Sequence, residues 1–266
     1  MTRILITGGR GVLGSALTPQ LLEAGHKVYG TSRHAQQNAA SRVEWRQLDL
    51  SKGIGLAEAV AGVDVIVHAA SDPVRANVVD VEGTGQLLQQ AKAAGVSHFV
   101  YVSIVGIDRI PFSYYRHKLA AEQLVEAGGI PWSIVRITQF HALIDRALKP
   151  LTRLPVAFLP TDFQFQLISP DEAAQATFQA VQAGPSERLP DVGGPEVATL
   201  GDLVSPWLAA RGERRTVWCL PIPGQVADGF RKGYNTCPDH RYGKITWAEW
   251  LAETYASSQY AVSSPQ

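Results

Sequence analysis

Along the first two thirds of the chain, short runs of aliphatic and β-branched residues alternate with longer stretches whose apolar positions recur every three or four residues. The runs predict strands over 3–7, 27–31, 43–48, 63–69, 97–103 and 131–137. The helical spacing predicts helices near 12–24, 55–61, 77–94 and 114–127. Val63-Asp64-Val65-Ile66-Val67 suits a strand covered on both faces. Leu13, Ala16, Leu17, Leu21 and Leu22 form a helical stripe closed by Gly25, and Leu87, Leu88, Ala91 and Ala94 form another closed by Gly95. Ser113 is placed to cap the helix that begins near Tyr114. Strands separated by helices read as βαβ units, whose right-handed crossovers build a parallel sheet.

After residue 138 the rhythm breaks, because prolines from 150 to 238 recur every two to fifteen residues. A helix near 170–182 and a short strand near 189–192 are expected to return to the sheet. Helices near 199–210 and 246–255 are expected in a separate lobe, with Trp207, Trp218, Trp247 and Trp250 supplying its core. The expected division is a dinucleotide-binding core over 1–138, joined by 163–194, and a small lobe over 139–162 and 195–256. The small polar residues of 257–266 predict a disordered tail. The fold class expected is α/β, a Rossmann-type doubly wound parallel sheet with a small C-terminal substrate lobe.

Between the first strand and the first helix runs Thr7-Gly8-Gly9-Arg10-Gly11-Val12-Leu13-Gly14. Gly9, Gly11 and Gly14 fit G-x-G-x-x-G, and Gly8, Gly11 and Gly14 fit the wider G-x-x-G-x-x-G. Glycine serves a tight turn, the approach of a pyrophosphate to backbone, and close packing of helix on strand. The helix start at Val12 and Leu13 offers free N–H groups to the phosphates. NAD binders usually carry an acid after the second strand to hold the ribose 2′-hydroxyl. This chain reads Thr31-Ser32-Arg33-His34 there, so Arg33, helped by Arg10 and Ser32, suits a 2′-phosphate. A solvated loop cation is the alternative for Arg33, but the pattern favours NADP(H) over NAD(H). Asp49 either accepts a hydrogen bond from the adenine amine or caps a helix. His68-Ala69-Ala70-Ser71 ends the fourth strand with side chains small enough for a nucleotide to lie against Ala69, Ala70 and Ser71.

Ser103 ends the fifth strand, and Tyr114 and Lys118 lie four apart on the next helix, which puts them on one face. An ammonium beside a phenol lowers its pKa and makes it a usable proton donor near neutrality. Ser103 is placed to hydrogen-bond a carbonyl oxygen. Tyr115, three residues before Lys118, is a rival for the proton-donor role.

With the glycine loop, these residues resemble an atypical short-chain dehydrogenase/reductase of the NmrA-like, NAD(P)H-binding group. Asp49, His68-Ala69-Ala70-Ser71, Val81-Glu82-Gly83-Thr84 and Val102-Ser103-Ile104-Val105-Gly106 carry the resemblance further. Ile134-Val135-Arg136-Ile137-Thr138-Gln139-Phe140 and Gly193-Gly194-Pro195-Glu196 extend it over most of the chain. The resemblance implies that Lys118 grips the nicotinamide ribose, Tyr114 exchanges the proton and Ser103 orients the substrate.

The 266 residues carry 24 basic and 24 acidic side chains, without the basic excess that nucleic-acid binding needs. Cys219 and Cys237 are too few for a disulfide framework, and no second pair of ligands joins Cys237 and His240 for zinc. The amino terminus lacks a signal-peptide pattern, and no apolar run approaches the roughly 18 residues of a membrane span. A cytoplasmic location and a small-molecule substrate are therefore expected. The expected function is NADPH-dependent reduction of a small carbonyl or quinone-like substrate. The alternatives are a redox-sensing protein that binds NADP(H) without turnover and a sugar-nucleotide epimerase.

Overall fold

In the computed structural model, residues 1–34 and 42–262 are described, with side chains through residue 256. The chain runs through β1 (Arg3–Thr7), α1 (Val12–Glu23), β2 (Lys27–Ser32), β3 (Glu44–Gln47), α2 (Leu56–Val60) and β4 (Val65–His68). A π-helical turn over Asn77–Glu82 leads into α3 (Gly83–Ala93), followed by β5 (His98–Ile104), α4 (Ser113–Ala127) and β6 (Trp132–Ile137). Then come α5 (His141–Leu151), β7 (Val156–Leu159), β8 (Gln164–Gln166), α6 (Pro170–Ala183), β9 (Glu187–Arg188) and β10 (Val197–Thr199). The last elements are α7 (Leu200–Ala210), β11 (Thr216–Cys219), α8 (Gln225–Arg231) and α9 (Trp247–Val262).

Seven strands form one parallel sheet in the order β3-β2-β1-β4-β5-β6-β9. Alternation along each strand supplies both faces. Leu5, Ile66, Phe99 and Tyr101 pack with Leu87, Ala91 and Val125 of α3 and α4. Ile4, Ile6, Val67 and Val100 pack with Leu17 and Leu21 of α1 and Ala173 and Ala180 of α6. This is the Rossmann-type α/β fold expected. Gly25 and Gly95 take positive φ past α1 and α3. There, His26 N–H donates to Leu21 O and Val96 N–H to Ala91 O, closing each helix with the expected glycine signal.

Ser113 does not cap α4. Phe112 holds the extended cap position without a side-chain bond, and Ser113 is already the first helical residue. The helix expected over 77–94 is two pieces, because the π-helical turn widens the backbone before Gly83. A Cβ on Gly83 would lie 2.8 Å from Leu50 Cβ, so glycine lets α3 close onto the loop after β3.

The lobe has its own core, where Ile144, Leu148 and Leu159 surround Trp207, Leu203, Trp247 and Leu251. Two short pairs, β8 with β10 and β7 with β11, complete it. Trp218 is not part of this core: it is 58% exposed on the outer side of the β7–β11 pair. The short strand expected over 189–192 pairs instead at Glu187–Arg188, though Val192 still bridges to Ile137. α9 runs on to Val262, so helix covers part of the tail expected to be disordered, and 263–266 lie outside the described residues. Among the described residues no helix is long and apolar enough to cross a membrane.

Candidate active site

Strand order reverses between β1 and β4, so the loops leaving their carboxyl ends diverge and open a crevice, where open α/β sheets bind ligands. A buried polar chain ties the two ends together. His68 bonds Thr7 Oγ1 at 2.6 Å through Nδ1 and Thr84 Oγ1 at 2.9 Å through Nε2. Burial, with Lys118 nearby, drives the His68 pKa down to about 3, so the ring is neutral and structural.

The glycine loop leaves β1 at this point. Gly8 has φ of +69°, and Gly11 N–H donates back to Gly8 O at 2.8 Å. A Cβ on Gly8 would approach Ala70 N to 2.9 Å, and one on Gly14 would reach 2.5 Å from Gly8 O. The Gly8–Gly11–Gly14 spacing is thus the one the geometry uses for turn and packing. Gly11 is the exposed amino-terminal cap of α1 and makes no side-chain bond, which leaves first-turn N–H groups at Val12 and Leu13 without a side-chain acceptor. That cradle fits a pyrophosphate.

On one side of the loop opens a cavity of about 500 Å³, lined by Arg10, Ser32, Arg33, Asp49, Ala70 and Arg75 among others. Ser32 ends β2 and Arg33 follows it, and Arg10 lies over the Trp45 ring with its guanidinium 4.7 Å from the centroid. Asp49 caps a turn rather than a helix, accepting Ser51 N–H at 3.0 Å and Ser51 Oγ–H at 2.6 Å through Oδ1. Those bonds hold its carboxyl below the usual carboxylate range. Arg75 is paired with Asp72 at 3.1 Å.

On the other side opens a cavity of about 510 Å³, which shares Gly8, Gly11, Ala69 and Ser71 with the first. Ser103, Tyr114 and Lys118 all line it. Ser103 Oγ is buried without a hydrogen-bond partner, as are Thr138 Oγ1 and Gln139 Oε1 on the same wall. These orphaned atoms fit a ligand bearing carbonyl and amide groups, such as a nicotinamide with a carbonyl substrate. Tyr115 does not share this wall. It packs among Ile107, Ile110 and Phe230, and its hydroxyl accepts Gln139 Nε2–H at 3.2 Å.

Lys118 does not act on Tyr114 in the way the sequence predicts. Its ammonium donates to Val102 O at 3.0 Å and lies 3.7 Å from Asp80 Oδ1. Tyr114 shares a hydrogen bond of 2.7 Å with Ser71 Oγ, and Ser71 donates to Asp80 Oδ1 at 2.6 Å. Burial pushes Tyr114 up to about 12 rather than down. Burial also lowers Lys118 to about 8, against the opposing pull of Asp80 and Glu122. The four side chains form one polar chain around the end of β4, with Asp80 at its centre. Sequence reasoning missed Asp80 because it sits in the π-helical turn, where the 3.6-residue period fails. α4 is held in register from behind: Arg136 of β6 bonds Glu122 at 2.9 and 2.7 Å and Asp108 at 3.0 Å.

A parallel sheet with a glycine cradle and a crevice at its switch point defines a nicotinamide-dinucleotide-binding Rossmann protein. A family model described as NAD(P)H-binding matches residues 8–152, more than half of the chain, and the chain belongs to that family. An uncharacterized protein of Mycobacterium tuberculosis is 28% identical over 212 residues, 78% of this chain and 23% of the relative. The chain therefore spans about a quarter of the length of that relative. The Escherichia coli NADPH-dependent quinone oxidoreductase QOR2, solved with NADPH, superposes with a TM-score of 0.77 at 21% identity, covering 95% of this chain and 99% of that one. The Bacillus cereus UDP-glucuronic acid 4-epimerase, solved with UDP-glucuronic acid and NAD, superposes with a TM-score of 0.74 at 19% identity, covering 98% and 100%.

Proposed function

We propose that the protein is an NADPH-dependent oxidoreductase that reduces a small carbonyl or quinone-like substrate, working in the cytoplasm. The observation that carries this reading is the second cavity: the unpartnered Ser103 Oγ and the Tyr114 hydroxyl line one wall system that the glycine loop also reaches. The bound nicotinamide would supply a hydride to the substrate carbon. Tyr114, raised to about 12, is fully protonated at neutral pH and donates its proton as the carbonyl oxygen gains alkoxide basicity. Ser103 Oγ–H donates a hydrogen bond to the same oxygen. Reaching that oxygen requires the Tyr114 hydroxyl to leave Ser71. Ser71 Oγ–H stays on Asp80, so Ser71 accepts the Tyr114 O–H at rest, and the phenolate regains its proton from water. Lys118, held by Val102 O and Asp80, would hold the nicotinamide ribose.

Supporting NADPH over NADH are Ser32 and Arg33 at the end of β2, with no carboxylate at that position. Likeness to the NADPH-bound E. coli oxidoreductase agrees with this. Likeness to the NAD-bound epimerase shows that the fold is neutral on the choice, so the residues must decide it. A second reading, a binding protein that senses NADP(H) without turnover, is favoured by the Tyr114 hydroxyl being already engaged by Ser71.

Calorimetry with NADPH and a panel of carbonyls, quinones and a UDP-sugar, followed by nicotinamide absorbance, tests the proposal. Tyr114→Phe is expected to lower kcat by about 10²–10⁴-fold with the NADPH Kd unchanged. Unchanged turnover would remove Tyr114 as the donor. Tight NADPH binding with no turnover across the panel would favour the sensing reading.

A further inference from the structure

We propose that the substrate carries a carboxylate on a flat apolar body, and that Arg146 of α5 recognises it. The inference rests on the reductase reading for the word substrate, and on the cavity alone for the anion.

Beyond Ser103 and Tyr114, the second cavity is walled by apolar side chains, chiefly Val12, Pro73, Phe140, Ala142 and Leu143. Val12 and Leu143 remain 39% and 41% exposed on this wall, apolar surface that a flat ligand could cover. Four charged groups line this cavity: Lys118, Asp145, Arg146 and Lys149. Three are already matched. Lys118 is held at the deep end by Asp80. Lys149 bonds Asp145 at 2.7 Å, and the same carboxylate accepts Trp207 Nε1–H at 2.9 Å and the Tyr255 hydroxyl. Arg146 is left over. Its side chain is exposed at the cavity wall and makes no ion pair or hydrogen bond among the described residues.

The wall therefore carries one uncompensated positive charge, on the side chain best shaped to take a carboxylate through two parallel bonds. Its separation along α5 from the Gln139 wall suits a ring-sized spacer. At about 1.5 Å of rise per residue, Arg146 lies roughly 9 Å along α5 from Phe140, which borders the orphaned Gln139. A planar compound with a carbonyl at one end and a carboxylate at the other would meet Ser103 and Arg146 together, its ring against Phe140 and Leu143.

The probes are 4-carboxybenzaldehyde and its methyl ester, each titrated calorimetrically into protein saturated with NADP⁺, and each assayed for NADPH oxidation. The expected result is that the acid binds at least tenfold more tightly than the ester, and that Arg146→Gln abolishes the difference while leaving the NADP⁺ Kd unchanged. Lys149→Gln should leave the preference intact. An acid preference without turnover would sink the reductase reading and keep the anion site. Equal binding of acid and ester, binding of neither, or a preference that survives Arg146→Gln overturns the proposal. So does an Arg146→Gln variant whose NADP⁺ affinity falls, which would assign the guanidinium to the cofactor.

Discussion

The Rossmann sheet and the lobe each bury a histidine almost completely, and they treat it in opposite ways. His68 of the sheet spends both ring nitrogens on threonine hydroxyls, one from β1 and one from α3. His141 of the lobe has no partner for either nitrogen and lies stacked on Trp247 and Trp250, with centroids 5.7 and 5.6 Å away. In the sheet, polar groups fix where one element sits on the next, and the crevice inherits that placement. Around His141 in the lobe, aromatic packing holds the ring with less directional constraint. A buried polar group specifies position only when it is satisfied: His68 does so beneath the crevice, while Ser103 Oγ on the same sheet is left open to a ligand.

The largest effect expected is therefore in the sheet. Arg136→Met leaves Glu122 buried without its cation and should cost about 3–5 kcal/mol in urea unfolding. A double variant that also carries Glu122→Leu should recover most of that loss, since an apolar pair of similar volume needs no charge partner. A single-variant loss below about 1 kcal/mol would break the claim that this ion pair sets α4 on the sheet.

Next comes Gly14→Ala. Helix propensity alone favours alanine by about 1 kcal/mol, but the new Cβ would press on Gly8 O and on Gly9 Cα at 2.7 Å. The backbone contact should win, raising the NADPH Kd about a hundredfold in calorimetry, near 2.7 kcal/mol. Unchanged binding would mean that the loop shifts freely and that the spacing has no steric basis.

This same contrast explains what could be read from the sequence. β1, β4 and β5 were legible because Ile4, Ile66 and Val100 lie in runs buried on both faces and leave a continuous apolar signal, which the exposed and half-buried β3 lacks. The glycine loop was legible because sterics, not partners, select glycine at Gly8 and Gly14. Asp80 and Ser71 were harder. Their meaning is a contact between residues nine apart across a turn with the wrong helical period, and no pattern at 3.6 residues exposes it. α5, β7, β8, β10, β11 and α8 went unread. The strands are three or four residues long, and Pro150 inside α5 imitates a break. Trp218 was misread because an isolated tryptophan carries no information about which side of a two-stranded pair it will face.

The two histidines sharpen the comparison through pH. Burial lowers His141 to about 4 and His68 to about 3, from an ordinary value near 6.5. Each is neutral in the fold and takes up a proton more readily when unfolded. Their contribution is thus complete above about pH 6.5 and is lost as pH falls through the folded values. His141→Phe removes two unsatisfied nitrogens between two indoles and should raise stability by about 1–2 kcal/mol at pH 7, and by more at pH 5. His68→Phe should lower stability by a similar amount at pH 7, because Thr7 and Thr84 lose their partner. Urea midpoints across pH 4–8 read both. If both variants moved the midpoint in the same direction at pH 7, satisfaction would not be what separates sheet from lobe.

The smallest effect expected tests the rim of the crevice rather than its frame. Arg33 is exposed just after β2, so the bond to a 2′-phosphate proposed for it would compete with water and salt. Arg33→Ala should weaken NADPH about tenfold at low ionic strength, near 1.4 kcal/mol, and leave NADH within about twofold. The difference should shrink as salt rises, because an exposed charge pair is screened within roughly 10 Å at 0.1 M. An equal loss for both coenzymes would place Arg33 on the pyrophosphate or the fold. No loss for either would leave it a solvated loop cation, with the choice of coenzyme passing to Arg10, whose guanidinium the Trp45 ring already positions on the same cavity.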